Sequence, residues 1–268
     1  MYIALLLKEL KAVGLEAFLN EIESLCVECT TAELSSDIIE QGSSKIGGHP
    51  DVPADFEWPF YRGLPLEFLL QLNCAEVNSP ILPSAGYLLF FYCDGVWADV
   101  RGKKDFIRII YIPADVAVSN HQAPGIHKKR FWGLLKPKRL PSIYPESKIS
   151  FKRSFSLPDL GEYPYEELKI FDEDDYLLDA YCTLKENLTG SKLLQISGYP
   201  NPVQYDGITE DAARVMGKGK AEEWQLLLEL NSLGGFMWGD AGRLYFSIHN
   251  EDLAQLKFSD VWMQMQCH

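Results

Sequence analysis

The sequence predicts an α+β fold: a mainly antiparallel sheet built from two similar β-rich halves, with flanking helices. Three observations lead there. Apolar runs such as Phe68-Leu-Leu-Gln-Leu-Asn73 and Gly86-Tyr-Leu-Leu-Phe-Phe-Tyr92, bounded by Gly and Pro, read as strands. A matching set of turns and strands recurs in the same order near the C-terminus. Between the sets, residues 172–188 and 209–216 carry a helical period.

The elements follow in order. Ile3, Leu6, Leu7, Leu10, Val13 and Leu15 lie near helical spacing, which predicts one amphipathic helix over 2–20. Its apolar run is followed, not preceded, by charge (Lys8, Glu9) and is too short to span a bilayer, so it reads neither as a secretory signal nor as a membrane span. No other stretch is long enough for a span. A short strand is expected near Leu25–Thr31, then a polar connection to Ser44. Ile46-Gly-Gly-His-Pro-Asp-Val-Pro53 is dense in turn formers. Phe68–Asn73 is a strand with polar side chains at 71 and 73. Gly86–Tyr92 is almost wholly apolar, as for a strand covered on both faces. Phe106–Ile112 is a β-branched strand stopped by Pro113. Residues 119–165 hold Pro124, Pro137, Pro141, Pro145, Pro158 and Pro164 and are expected to be irregular. Asp172 is expected to cap the helix over 172–188, with Leu177, Leu178, Tyr181, Leu184 and Leu188 as its buried stripe. The Gly217-Lys-Gly219 break separates the helix over 209–216 from a strand over Gln225–Asn231.

Internal similarity is the most informative feature. Ile46-Gly-Gly-His-Pro-Asp51 resembles Ile196-Ser-Gly-Tyr-Pro-Asn201, Leu69-Leu-Gln-Leu-Asn73 resembles Leu227-Leu-Glu-Leu-Asn231, and Gly86-Tyr-Leu-Leu-Phe90 resembles Gly242-Arg-Leu-Tyr-Phe246. Ile107–Ile112 and Val261–Gln266 complete the two sets. The spacings agree, with 13 residues from Asn73 to Gly86 and 11 from Asn231 to Gly242. A single domain over 1–268 is expected, with repeat halves at about 44–118 and 193–268. Its core should hold Ile46, Trp58, Leu70, Leu72, Leu89, Phe91, Leu228, Leu230, Leu244 and Phe246.

Ser44-Lys-Ile-Gly-Gly-His-Pro-Asp-Val-Pro53, Glu57-Trp-Pro59 and Phe68–Asn73 resemble the YwqG-like domain of unknown function. The C-terminal half agrees through Ile196–Gln204, Leu227–Asn231, Trp238-Gly-Asp-Ala-Gly-Arg-Leu-Tyr-Phe246 and the run from Glu251 to Trp262. The resemblance covers about residues 40–268. It implies a single α+β cytosolic domain of bacterial type and no reaction, so no functional residue is carried over from it. The segment 127–139 is the least family-like.

The 268 residues are 47% hydrophobic, and a compact chain of this size buries roughly 75% of the surface its unfolded form exposes. No disulfide or metal is needed to close such a core. The net charge is −13, which repels nucleic acid and anionic lipid at long range and favours basic partners. No nucleic-acid partner is expected. Of six cysteines only Cys26 and Cys29 are close, and on a strand positions i and i+3 face opposite sides, which speaks against a redox or zinc pair. Reduced thiols predict a cytoplasmic setting. The five histidines show no ligand spacing and no phosphate loop or dinucleotide fingerprint is present. No catalytic residue, metal or cofactor is therefore assigned, and the oligomeric state is left open.

The candidate site residues are His49, Gln71, Asn73, Glu229, Asn231 and Asp240. His49 would be a proton carrier near neutral pH, but Tyr199 stands at its repeat position, which favours turn packing. Gln71, Asn73, Glu229 and Asn231 either bond neighbouring turns or line a cleft between the halves. Asp240 sits on a Gly-flanked loop that presents a carboxylate or caps a turn. The segment 127–139 sets six Lys or Arg around Phe131 and Trp132. Its Lys128, Lys129, Arg130 and Trp132 form a candidate basic patch for phosphates, bases or an anionic membrane, or else a connection matched by the acidic surface. The first functional reading is a non-enzymatic interaction module that binds or neutralises a basic protein. The alternative is a small-molecule-binding protein or enzyme using a cleft between the halves.

Overall fold

The computed structural model describes residues 2–93, 105–124, 143–159, 162–164, 174–190, 192–204 and 207–268. The chain opens with α1 (Tyr2–Val13), and Gly14, at φ +78°, ends it. A short 3₁₀ turn (Glu16–Phe18) and α2 (Leu19–Leu25) follow. The single helix expected over 2–20 is thus two helices, because only glycine enters the left-handed region without a Cβ penalty.

The next elements are β1 (Val27–Ser35), β2 (Lys45–Ile46), β3 (Asp51–Val52), β4 (Phe60–Tyr61), β5 (Leu64–Pro65), β6 (Glu67–Asn73), α3 (Cys74–Val77), β7 (Tyr87–Tyr92), β8 (Ile107–Ile112), β9 (Ser119–Asn120) and β10 (Ser147–Ser156). Then come α4 (Asp175–Thr189), β11 (Leu194–Ile196), α5 (Ile208–Met216), β12 (Trp224–Asn231), β13 (Arg243–His249), α6 (Asn250–Ala254) and β14 (Trp262–Gln266). Six α-helices stand among the described residues where about three were expected. None of them is long and apolar enough to cross a membrane.

Ten strands form one sheet in the order β14-β13-β12-β11-β1-β10-β2-β6-β7-β8, and every neighbouring pair is antiparallel. The central pair, β1 with β10, runs from Val27↔Ser156 to Ser35↔Lys148. β10 corrects the expectation of an irregular 119–165. Its Ile149, Phe151 and Phe155 alternate with polar residues, a two-residue period that the surrounding prolines mask. The helix start at Asp172 is also corrected: Asp174 caps α4, accepting from the Tyr176 and Leu177 amides.

The sheet curls until its two sides face each other. The Phe90 ring on β7 lies 5.3 Å from Phe246 on β13, edge to face. All ten expected core residues are buried in one cluster around this contact. A second cluster joins Leu6, Leu10, Leu15, Ile22 and Leu25 to Tyr181, Leu184 and Leu188, so α1 and α2 pack on α4. α5 buries Ala212 and Ala213 against Trp224 and Trp262.

Candidate ligand site

Side chains alternate across a strand, so when Leu70 and Leu72 of β6 enter the shared core, Gln71 points the other way. The segment 42–51 covers it there. Gln71 Nε2 donates to the Ser43 carbonyl (3.0 Å) and to Asp51 Oδ2 (3.1 Å), while its Oε1 accepts from the Asp51 amide (2.8 Å). Asp51 also pairs with Lys45 (3.5 Å), which reaches Glu146 (3.2 Å). Asn73 Nδ2 donates to the Gly42 carbonyl (2.9 Å), and its Oδ1 caps α3 by accepting from Ala75 N (3.1 Å).

On β12, Glu229 is fully buried, with its carboxylate turned to the segment 192–201. It accepts from the Asn201 amide (2.9 Å) and from Asn201 Nδ2 (3.3 Å). It lies 3.8 Å from Lys192 Nζ and 3.5 Å from Arg243 Nη1. Lys192 also donates to Gln195 Oε1. Arg243 Nη1 and the Tyr245 hydroxyl each donate to the Asn201 carbonyl at 2.7 Å. Asn231 Nδ2 donates to the Lys192 carbonyl (2.8 Å), whereas its buried Oδ1 has no partner. Burial pulls the Lys192 ammonium below the ordinary lysine range, and Glu229 opposes that shift. Burial pushes the Tyr245 hydroxyl up.

A cavity of about 830 Å³ opens between α4, the end of β12 and the 232–242 connection. Lys185, Lys192, Asn201, Asn231 and Arg243 stand on its wall with Asp159 and Glu186. Lys185 is matched by Asp159 at 2.6 Å. The size falls within the usual range for small-molecule sites, about 300–1,000 Å³. The place beside Asn73 is closed by comparison. Tyr87 pairs with Asn73 across the sheet as Arg243 pairs with Asn231. Its hydroxyl would lie 3.0 Å from a Cβ on Gly42, so the ring fills the place next to that glycine.

The structure therefore brings the sequence candidates together in two pairs. Gln71 and Asn73 both bond the 42–51 segment, and Glu229 and Asn231 both hold Lys192. Among the described residues, no hydrogen bond or ion pair of these four side chains joins one pair to the other. The cavity is walled by α4 and the β12 side of the sheet, and of the six candidates only Asn231 lines it. His49 is half-buried, and its carbonyl accepts from Asn120 Nδ2 (3.2 Å). Asp240 is exposed in a tight turn, and its carbonyl accepts from the His268 amide (3.2 Å). Lys128, Lys129, Arg130 and Trp132 lie outside the described residues. Sequence reasoning passed over Lys192, Asn201 and Arg243. The available signal was the swap of Tyr87 for Arg243 between otherwise similar Gly-x-Leu strands. No group of three or more His, Cys, Asp or Glu suited to a metal occurs among the described residues.

A family model described as a domain of unknown function matches residues 44–267. No curated protein matches the chain.

Proposed function

The chain belongs to the DUF1963 family, whose description carries no activity, and from the geometry we propose that this protein binds a small organic acid in the cavity beside α4. One observation carries the reading. A single buried carboxylate, Glu229, stands behind the cavity wall and lies between two cations of that wall, Lys192 and Arg243. Lys185 has its own partner in Asp159. On the cavity lining the cations Lys185, Lys192 and Arg243 stand against the carboxylates Asp159 and Glu186, and Arg243, whose side chain is 33% exposed, is the cation turned toward a ligand.

The unpartnered Asn231 Oδ1 adds an acceptor that lacks a donor. An amino or hydroxy acid meets both needs, with its carboxylate on Arg243 and its N–H or O–H on Asn231. An anion so placed also favours the charged form of Lys192, against the pull of burial. These groups neutralise and orient; the proposal is one of binding, not of a reaction. A basic protein partner is supported only by the net charge of −13, which acts on encounter and defines no site.

We further read the chain as one domain built by duplication, with halves at about 44–118 and 193–268. The mirrored strand order about β1 and β10 supports this, as does the matched bonding of Asn73 to Gly42 and Asn231 to Lys192. The YwqG-like resemblance is our narrower reading of the family membership.

The test is thermal unfolding with free amino acids, malate, citrate and inorganic phosphate. A ligand at a hundredfold its Kd stabilises by about 2.7 kcal/mol. At least one acid should raise the midpoint of the wild type saturably, and Arg243→Gln should abolish the rise. A midpoint that none of these acids moves would overturn the reading.

A further inference from the structure

A second cavity, about 310 Å³, lies between the 197–200 turn, the start of α5 and the start of β12. Its wall carries three carboxylates, Glu28, Glu162 and Glu222, and three aromatic rings, Tyr163, Tyr199 and Trp224, and none of its described lining residues is Lys, Arg or His. The carboxylates differ in standing. Glu28 pairs with Arg153, and Glu222 has Lys220 at 3.8 Å in an exposed position. Glu162 is only 3% exposed. It accepts hydrogen bonds from the Ile208 amide, from the Thr209 amide and from Thr209 Oγ1 (3.3 Å), and it has no cationic partner among the described residues.

We propose that this cavity binds an organic cation, an ammonium or guanidinium group seated on Glu162 between the Tyr199 and Trp224 rings. These three hydrogen bonds leave part of the acceptor capacity of the Glu162 carboxylate unused, since an ionised carboxylate offers about four lone-pair sites. Cations are drawn to aromatic faces within about 6 Å of the ring centre, most strongly where water is excluded. Ile81 and Leu226 on the same wall suit an alkyl-bearing cation better than a hydrated metal ion. Burial pushes the Glu162 carboxyl up to about 8, and the nearby Glu210 adds to the shift. A bound cation supplies the counter-charge that the site lacks and holds this carboxyl ionised. The volume, at the low end of the small-molecule range of about 300–1,000 Å³, suits a single amine or guanidine. Such a group can come from a free amine or from a Lys or Arg side chain of another protein.

The experiment is an NMR titration near neutral pH with agmatine, with the peptide acetyl-Gly-Arg-Gly-amide, and with neutral butylurea as control. The Ile208 and Thr209 amides and the Trp224 indole should shift saturably with a cation and not with butylurea. Glu162→Gln keeps an acceptor for the Ile208 amide and presents a donor to Thr209 Oγ1, and it should weaken binding by about tenfold or more, the equivalent of about 1.4 kcal/mol. Saturation by agmatine alone assigns the site to free amines; saturation by the peptide assigns it to a partner's side chain. Calorimetry of the wild type in two buffers of different ionisation enthalpy gives a check that needs no variant, because binding should release a proton and the heats should differ. Unsaturated shifts with both cations, unchanged affinity in Glu162→Gln, equal heats in the two buffers, or shifts confined to Asn231 and Arg243 would each overturn the proposal.

Discussion

Asn73 and Asn231 make the same bond at the ends of two separate strands. Asn73 Nδ2 donates to the Gly42 carbonyl at 2.9 Å, and Asn231 Nδ2 donates to the Lys192 carbonyl at 2.8 Å. They part company at Oδ1: Asn73 caps α3 through Ala75, while Asn231 has no donor to accept from. Asn73→Ala should therefore cost more stability, about 2 kcal/mol from a lost bond and a lost cap, against about 1 kcal/mol for Asn231→Ala. Urea midpoints of the two variants check the order. Equal losses would mean that the Asn73 cap contributes nothing.

Gly47 and Gly217 are both left-handed, at φ +66° and +60°, but their surroundings differ. A Cβ on Gly47 would lie 2.2 Å from the Pro145 carbonyl oxygen, whereas a Cβ on Gly217 would meet nothing within 4 Å. Gly217→Ala should lose only the backbone preference, about 1 kcal/mol. Gly47→Ala must also displace the chain at Pro145 and should lose about 3 kcal/mol or more. Chemical denaturation of both variants measures the gap, and similar losses would show that the 144–146 segment yields freely.

Much of this fold was legible because strand periods and turn residues are local signals. Leu70, Leu72, Leu228 and Leu230 mark the inner face of β6 and β12 by alternation alone. β10 was not legible in the same way, since Pro141, Pro145, Pro158 and Pro164 dominate its neighbourhood and conceal Ile149, Phe151 and Phe155. The split of the first helix turns on Gly14, one residue in an otherwise unbroken helical pattern. At the site, Glu229 and Asn231 stood out as polar groups inside apolar strands. Lys192 did not, because only the fold, which sets it against Glu229 of β12 and Gln195 of β11, makes an ordinary lysine a buried one. Glu162 was hidden for a similar reason: its burial comes from α5, which begins 46 residues later in the chain.

Glu229→Gln removes the one carboxylate shared by Lys192 and Arg243. The amide still accepts from the Asn201 backbone, so the 192–201 turn keeps an anchor. Lys192 is the buried one of the two cations, and leaving a buried charge unpaired costs about 3–5 kcal/mol, whereas Arg243 is screened by water. The variant should unfold at lower urea. If the cavity takes acids, citrate should restore more stability to the variant than it adds to the wild type. A variant as stable as the wild type would show that Lys192 sheds its proton instead of remaining charged.

Glu162 should write a pH dependence of its own into the stability of the fold. An ordinary glutamic carboxyl loses its proton near 4.5, whereas burial holds this one protonated up to about 8 in the native state. Between those values the native chain binds more protons than the unfolded chain, so the slope of stability against pH from this group is negative. Its stabilisation is complete below about 4.5, declines as pH rises toward 8, and is lost above. Glu162→Gln cannot ionise, so its stability relative to the wild type should climb through that window, by at most about 1.4 kcal/mol per pH unit, and then level off. Comparing the two proteins cancels the remaining carboxylates, whose loss of charge destabilises the fold at the acid end. Urea midpoints of both proteins at pH values spanning the window provide the measurement. A difference that stays flat with pH would mean that Glu162 ionises in the folded protein as readily as in the unfolded one.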